Sequence, residues 1–270
     1  MKDAVEYKYA DSNGVRIAYH ERGSGAPLIL LMGFGADGVV WEKHVAVYER
    51  HFRCILIDNR GVGRSDQPKG PYSTRMMAED TIAVMNDAGI ETAMVAGISM
   101  GGTIAQELAI NYADRVSKLL LVSTWPKFNQ YAKQVYESLK HMRAVSPPSY
   151  FTELLQLWIF APPYYEKNIE ALKSDAKAAE NAAGHQSENG FNGQLDACIN
   201  HDATNRLHLI SCPVLITIGL MDIFTPPVFS NTLHQLIPGS ALIEFPEGGH
   251  VHHWEDLETF NSETLKFLAN

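Results

Sequence analysis

Three side chains of this sequence have the types that nucleophilic attack on a carbonyl requires. Ser99 stands in Gly97-Ile98-Ser99-Met100-Gly101, which fits G-x-S-x-G. A serine hydroxyl is a poor nucleophile at its own pKa and needs an adjacent base. The base is a histidine, held in the right tautomer by a carboxylate. Asp222 is the acid of Leu220-Met221-Asp222-Ile223-Phe224-Thr225-Pro226, and it reads either as that orienting acid or as a turn or N-cap aspartate. His250 follows Gly248-Gly249, a turn that lets an imidazole reach back over neighbouring structure. His252 and His253 lie nearer the last helix and read as surface or packing residues. A metal role for this histidine run lacks an acidic or cysteine partner at ligand spacing.

The elements around these residues decide whether they meet. Ala93-Met94-Val95-Ala96 precedes the serine and reads as a buried strand. After it, Ile104, Ala105, Leu108, Ala109 and Tyr112 recur at helical spacing. A strand turning sharply into a helix is the context in which G-x-S-x-G has chemical meaning. The flanking glycines suit a turn too tight for Cβ atoms. The turn also sets the serine at a helix N-terminus, where free N–H groups and the dipole favour negative charge. Asp222 follows an apolar run at 214–219, and His250 one at 241–245. Both therefore leave the ends of strands, as Ser99 does.

The remaining chain extends this rhythm. Segments 7–11 and 15–21 read as a hairpin around Ser12-Asn13-Gly14. Runs 27–32, 52–57 and 116–122 read as further strands, the first two followed by polar or glycine-rich loops. Segments 39–50, 74–88, 226–236 and 257–268 read as helices. Continuous apolar strands alternating with helices predict a mostly parallel sheet of about eight strands covered on both faces. From about Pro126 to Leu207 no strand is predicted. That stretch reads as helical and rich in aromatic residues, with Pro147-Pro148 and Pro162-Pro163 as breaks. The expected organisation is a core of residues 1–125 and 208–270, with 126–207 inserted as a helical cap. Ligands bind at the carboxyl ends of parallel strands, so a cap there encloses the site and makes it apolar. Trp125, Trp158 and Phe160 are the substrate-pocket candidates.

Composition narrows the class. A length of 270 residues suffices for one large core. The net charge of −9 opposes nucleic-acid binding, which needs a basic surface. No apolar run approaches the roughly 18 residues of a membrane span. Met1 to Tyr7 lacks the apolar stretch of a secretory leader. Cys54, Cys198 and Cys212 are widely spaced and read as buried, unpaired thiols in a reducing cytoplasm. Oligomeric state is not legible.

The order Ser99, Asp222, His250 is that of the α/β-hydrolase arrangement. Together with Gly33-Phe34, the loop Asp58-Asn59-Arg60-Gly61-Val62-Gly63-Arg64-Ser65, Gly97 to Gly102, Gly219 to Asp222, and Gly248 to His250, the sequence resembles an α/β-hydrolase. It is most similar to carboxylesterases and 3-oxoadipate enol-lactonase-like hydrolases, with antibiotic methylesterases also alike. The resemblance implies an oxyanion hole made by the backbone N–H groups of Phe34 and Met100. It implies no metal or organic cofactor, and a small-molecule ester or lactone as substrate. Where the family usually has His-Gly at the start of the first loop, this chain has Met32-Gly33. The same triad elsewhere serves C–C bond hydrolases and cofactor-free perhydrolases, and some members of the fold act as small-ligand receptors. The loop 58–66 reads as scaffold, because no glycine-rich run there leads into a helix with Lys-Ser or Lys-Thr.

Overall fold

The apolar runs form one eight-stranded sheet in a computed structural model that describes residues 5–181 and 186–270. The start of the segment read for a leader, and residues 182–185 of the stretch read as a cap, lie outside the described residues. The strands are β1 (Tyr7–Ser12), β2 (Val15–Arg22), β3 (Ala26–Leu31), β4 (Phe52–Ile57), β5 (Ala93–Ile98), β6 (Val116–Val122), β7 (Val214–Gly219) and β8 (Ala241–Phe245). Their order across the sheet is 1-2-4-3-5-6-7-8. β1 and β2 form an antiparallel hairpin, β2 runs antiparallel to β4, and every other pair is parallel. Asn13 and Gly14 make the hairpin turn with φ of +53° and +83°, the positive values that match a two-residue turn to strand twist.

Side-chain alternation divides the interior into two layers. Ile29, Leu31, Ile55, Ile57, Val95, Leu119 and Leu121 pack into one core. Leu28, Leu30, Cys54, Leu56, Ala96, Leu120 and Val122 pack into the other. A strand buried on both faces must be apolar at successive positions, which is why these runs do not alternate with polar residues. The first layer is closed by α2 (Thr74–Asp87), α3 (Met100–Asn111) and α8 (Pro227–Leu236). The second is closed by α1 (Glu42–Tyr48) and α10 (Leu257–Ala269) through Val45, Tyr48, Phe260 and Leu268.

The helix expected over 39–50 is shorter than its apolar pattern suggests. Gly38–Trp41 form a 3-10 turn capped by Asp37, and regular helix begins only at Glu42. Glycine followed by two valines is a poor helix start, and the Gly38 amide is held by Asp58 Oδ1 at 2.9 Å. A four-residue helix, α9 (His252–Glu255), follows the His250 loop and has no periodic signal of its own.

Among the described residues, four α-helices lie between β6 and β7: α4 (Gln130–Val145), α5 (Pro148–Ile159), α6 (Pro162–Ala178) and α7 (Glu188–Asn200). The two ends of this segment are tied together. Ala203 N–H donates to Pro126 O at 2.9 Å, and Lys127 Nζ pairs with Asp202 at 2.7 Å. Its helices reach loops that follow three strands. Gln194 accepts from Gly35 after β3, Gln186 donates to Gly61 after β4, and Ile159 O accepts from Val251 after β8. Cys54 and Cys198 are buried, Cys212 is half-buried, and all three thiols are free. Among the described residues no helix is long and apolar enough to cross a membrane.

Candidate active site

Ser99 is the residue on which β5 turns into α3. Its φ is +55° and ψ −117°, outside the usual range for a residue with a side chain. Such a conformation costs about 1–3 kcal/mol and persists only where its surroundings enforce it. They do so here. A Cβ on Gly97 would stand 2.3 Å from Gly101 O, and one on Gly101 would stand 2.2 Å from Leu31 O. The Ser99 N–H donates to Val122 O at 2.8 Å, and Thr124 Oγ1 donates to Ser99 O at 2.8 Å. The chain thus turns within one residue, and the side chain is set at the carboxyl edge of the central strands.

Asp222 and His250 leave the ends of β7 and β8, and their loops are joined. Leu220 N–H donates to Phe245 O and Met221 N–H to Gly248 O, both at 2.9 Å. Asp222 Oδ1 accepts the amides of Phe224 and Thr225 at 2.8 Å each. Its Oδ2 lies 2.9 Å from His250 Nδ1. Thr225 Oγ1 stands beside both, 2.8 Å from Asp222 Oδ2 and 2.9 Å from His250 Nδ1. The backbone of His250 is held as well, since Ser123 Oγ donates to its carbonyl at 2.8 Å. Val122, which receives the Ser99 amide, is the neighbour of Ser123, so β6 carries the anchors of both loops. All three predicted side chains are buried, with Ser99 4%, His250 5% and Asp222 2% exposed. Among the described residues no hydrogen bond joins Ser99 Oγ to His250, so the acid and base are paired and the serine adjoins the same strand edge without that last bond.

The loop after β3 approaches the serine closely. A Cβ on Gly33 would lie 3.2 Å from Ser99 Cβ and 3.7 Å from its Oγ. The loop is braced by Asn59 Nδ2, which donates to Met32 O at 2.9 Å, and by Gln194 Oε1, which accepts from Gly35 N–H at 2.9 Å. Side-chain bonds to its main chain hold the loop although Met32 occupies its first position. The amides of Phe34 and Met100 have no acceptor among the described residues, and Met100 opens α3. Both amides are free donors, and that of Met100 lies at a helix N-terminus, where negative charge is favoured.

Aromatic rings surround this point. Phe34 packs against Phe191 at 4.8 Å and Tyr136 at 5.7 Å. Tyr136 stacks on Phe224 at 5.0 Å, and Phe224 meets the His250 ring edge-on at 5.0 Å. Of the pocket candidates, half-buried Trp158 reaches this cluster through Phe224 at 6.4 Å. Trp125 is wholly buried, stacks on Phe128 at 4.1 Å, and meets the cluster through Tyr136. Phe160 stacks on Tyr164 at 5.1 Å, apart from the others. His252 and His253 are core residues. His252 Nε2 pairs with Thr217 Oγ1 at 3.0 Å, and His253 Nδ1 with His44 Nε2 at 3.0 Å. Burial holds both below the usual histidine range, His252 at about 3.

Sequence reasoning missed Thr225, Ser123, Gln194 and Tyr136. Thr225 had a local signal, being a hydroxyl three residues after the acid. Gln194 and Tyr136 had none: each belongs to a helix whose pattern shows only an apolar face, and packing alone brings it to the site.

Comparison with known proteins agrees with this fold. The family model described as alpha/beta hydrolase fold matches residues 26–257. RutD of Azorhizobium caulinodans, provisionally named a carbamate hydrolase, is 28% identical over 261 residues, covering 97% of this chain and 98% of its own. The enol-lactonase of Burkholderia xenovorans superposes with a TM-score of 0.88 at 25% identity, covering 97% of this chain and 100% of its own. An esterase of Exiguobacterium antarcticum gives 0.87 at 26% identity, covering 98% and 100%.

Proposed function

Because the chain belongs to the alpha/beta hydrolase fold family, we propose that it is a serine hydrolase that cleaves a carboxylic ester or lactone through an acyl-enzyme. The observation that carries the reading is the 2.9 Å pairing of His250 with buried Asp222 at the same sheet edge as the strained Ser99 turn. In this reading His250 takes the proton of Ser99 as Oγ attacks the carbonyl carbon. The oxyanion is received by the amides of Phe34 and Met100. His250 then gives its proton to the departing alcohol oxygen. Water, deprotonated by His250, attacks the acyl carbon, and Ser99 leaves with that proton. Asp222 holds the imidazole oriented and stabilises its charged form throughout. This sequence draws on no metal or organic cofactor.

Residues 126–207 act as a cap over the core formed by 1–125 and 208–270. Phe34, Phe191, Phe224 and Trp158 favour an apolar acyl or alcohol part. Trp125 packs against Tyr136, and Phe160 stacks on Tyr164. The three free thiols suit a reducing, cytoplasmic setting.

The test is labelling with a fluorophosphonate, followed by peptide mapping and assay of Ser99→Ala on p-nitrophenyl butyrate. The label is expected on Ser99, and kcat is expected to fall roughly 10⁴–10⁶-fold. A fall below about tenfold sinks the assignment.

A second reading is favoured by the similarity to RutD along nearly the whole chain. A carbamate carbonyl is open to the same attack, with a carbamoyl-enzyme in place of the acyl-enzyme. Comparing kcat/KM for matched alkyl esters, lactones and carbamates separates the two.

A further inference from the structure

Tyr136 carries a hydroxyl that the fold leaves without a partner. The side chain is 0% exposed, and its oxygen makes no hydrogen bond among the described residues. A buried hydroxyl with no partner costs about 1–3 kcal/mol, so its persistence needs a reason. The ring is fixed by stacking on Phe224 at 5.0 Å with planes 16° apart, and by Trp125, Phe128 and Phe34 around it. Two of these neighbours belong to the site from opposite sides: Phe34 carries one free amide, and Phe224 touches the ring of His250. The phenol ring therefore packs against residues of both the loop after β3 and the loop after β7. The group it adjoins is the Ser99 hydroxyl, with which it forms no aligned bond. Burial holds the phenol far above its ordinary range, so it keeps its proton at any working pH and is available as a donor.

We propose that Tyr136 is a catalytic residue whose O–H donates to the oxygen that becomes anionic when Ser99 attacks, beside the amides of Phe34 and Met100. The acceptor missing in the free protein is supplied by the adduct. An interaction present mainly in the transition state raises kcat more than it lowers KM. The donor comes from α4, not from the core, so the placement of that helix sets the reaction rate as well as access. This inference rests on Ser99 being the nucleophile, as proposed above.

The experiment compares wild type, Tyr136→Phe and Ser99→Ala on p-nitrophenyl butyrate, and measures binding of a trifluoromethyl ketone, which forms a tetrahedral adduct with serine. Phenylalanine keeps the stacked ring and removes only the oxygen. For Tyr136→Phe, kcat is expected to fall roughly 10²–10³-fold, as for loss of one oxyanion donor. KM should stay within about threefold, and ketone affinity should fall in step with kcat. Fluorophosphonate labelling of Ser99 and an unchanged or higher Tm are expected to show an intact fold. A kcat within about threefold of wild type overturns the proposal, as does a fall in kcat with unchanged ketone affinity. If Ser99→Ala is inactive while Tyr136→Phe is normal, this inference alone fails. If Ser99→Ala stays active, the nucleophile assignment fails with it.

Discussion

Thr225 Oγ1 stands 2.9 Å from His250 Nδ1, the same separation as Asp222 Oδ2. The threonine is itself fixed by contacts to Asp222 Oδ2 and to Ser123 O at 3.1 Å. It thus completes the surroundings of His250 Nδ1 on the side of Asp222. Asp222→Asn keeps the shape but offers Nδ1 an N–H, favouring the wrong tautomer, and kcat is expected to fall about 10⁴-fold. Thr225→Val leaves Asp222 in place, and its kcat should fall only about tenfold with KM unchanged. Steady-state kinetics on one ester distinguish them, and equal losses in the two variants would contradict this division of roles.

Acid should weaken the fold through its buried histidines. His44 and His201 are held down to about 4 and His252 to about 3 by burial, and His253 is lowered as well. In the unfolded chain each returns to about 6.5. Between those values the unfolded state binds more protons, so stability rises with pH across that window and is lost as pH falls through it. The slope is up to about 1.4 kcal/mol per pH unit for each such proton. The urea midpoint is expected to be level above pH 7 and to drop steadily from pH 6.5 to 4.5. A midpoint unchanged over that range would refute the assignment.

The ion pair of Arg60 with Asp80 ties the loop after β4 to α2 at 2.5 Å, with side chains 8% and 3% exposed. Burial pushes the Asp80 carboxyl up even with the guanidinium beside it. Removing one partner strands a buried charge, and Asp80→Ala is expected to cost roughly 3–5 kcal/mol in urea unfolding. The double change Arg60→Met, Asp80→Leu should recover most of that loss, because two apolar groups leave nothing unpaired. The Arg60 carbonyl also receives Gln194 Nε2, the residue that braces the loop after β3 at Gly35. Catalysis in Asp80→Ala should therefore decline at urea concentrations below those that unfold it.

The strands were legible because a strand covered on both faces must be apolar at nearly every position, and those runs are short and bounded. The turn at Ser99 was legible because only glycine fits at 97 and 101. Asp222 stood out as the acid in the loop after β7, whereas three histidines follow β8 and tertiary structure pairs His250 with Asp222. The start of α1 was misread, since apolar spacing at Val39 and Val40 does not reveal a 3-10 turn held by Asp37 and Asp58.

Local order therefore determined the sheet, the edge at which loops emerge, and the three residue types that leave it. Those features depend on contacts within one element or one turn, and neighbouring residues encode them. Tertiary structure decided what packs around the serine turn: Tyr136 against Phe34 and Phe224, Thr225 beside the imidazole, and Gln194 on the loop of Phe34. Tyr136 and Gln194 reach the core from helices whose own pattern says only which face is apolar. Where that face comes to rest depends on how whole elements pack, and no short stretch of sequence records it.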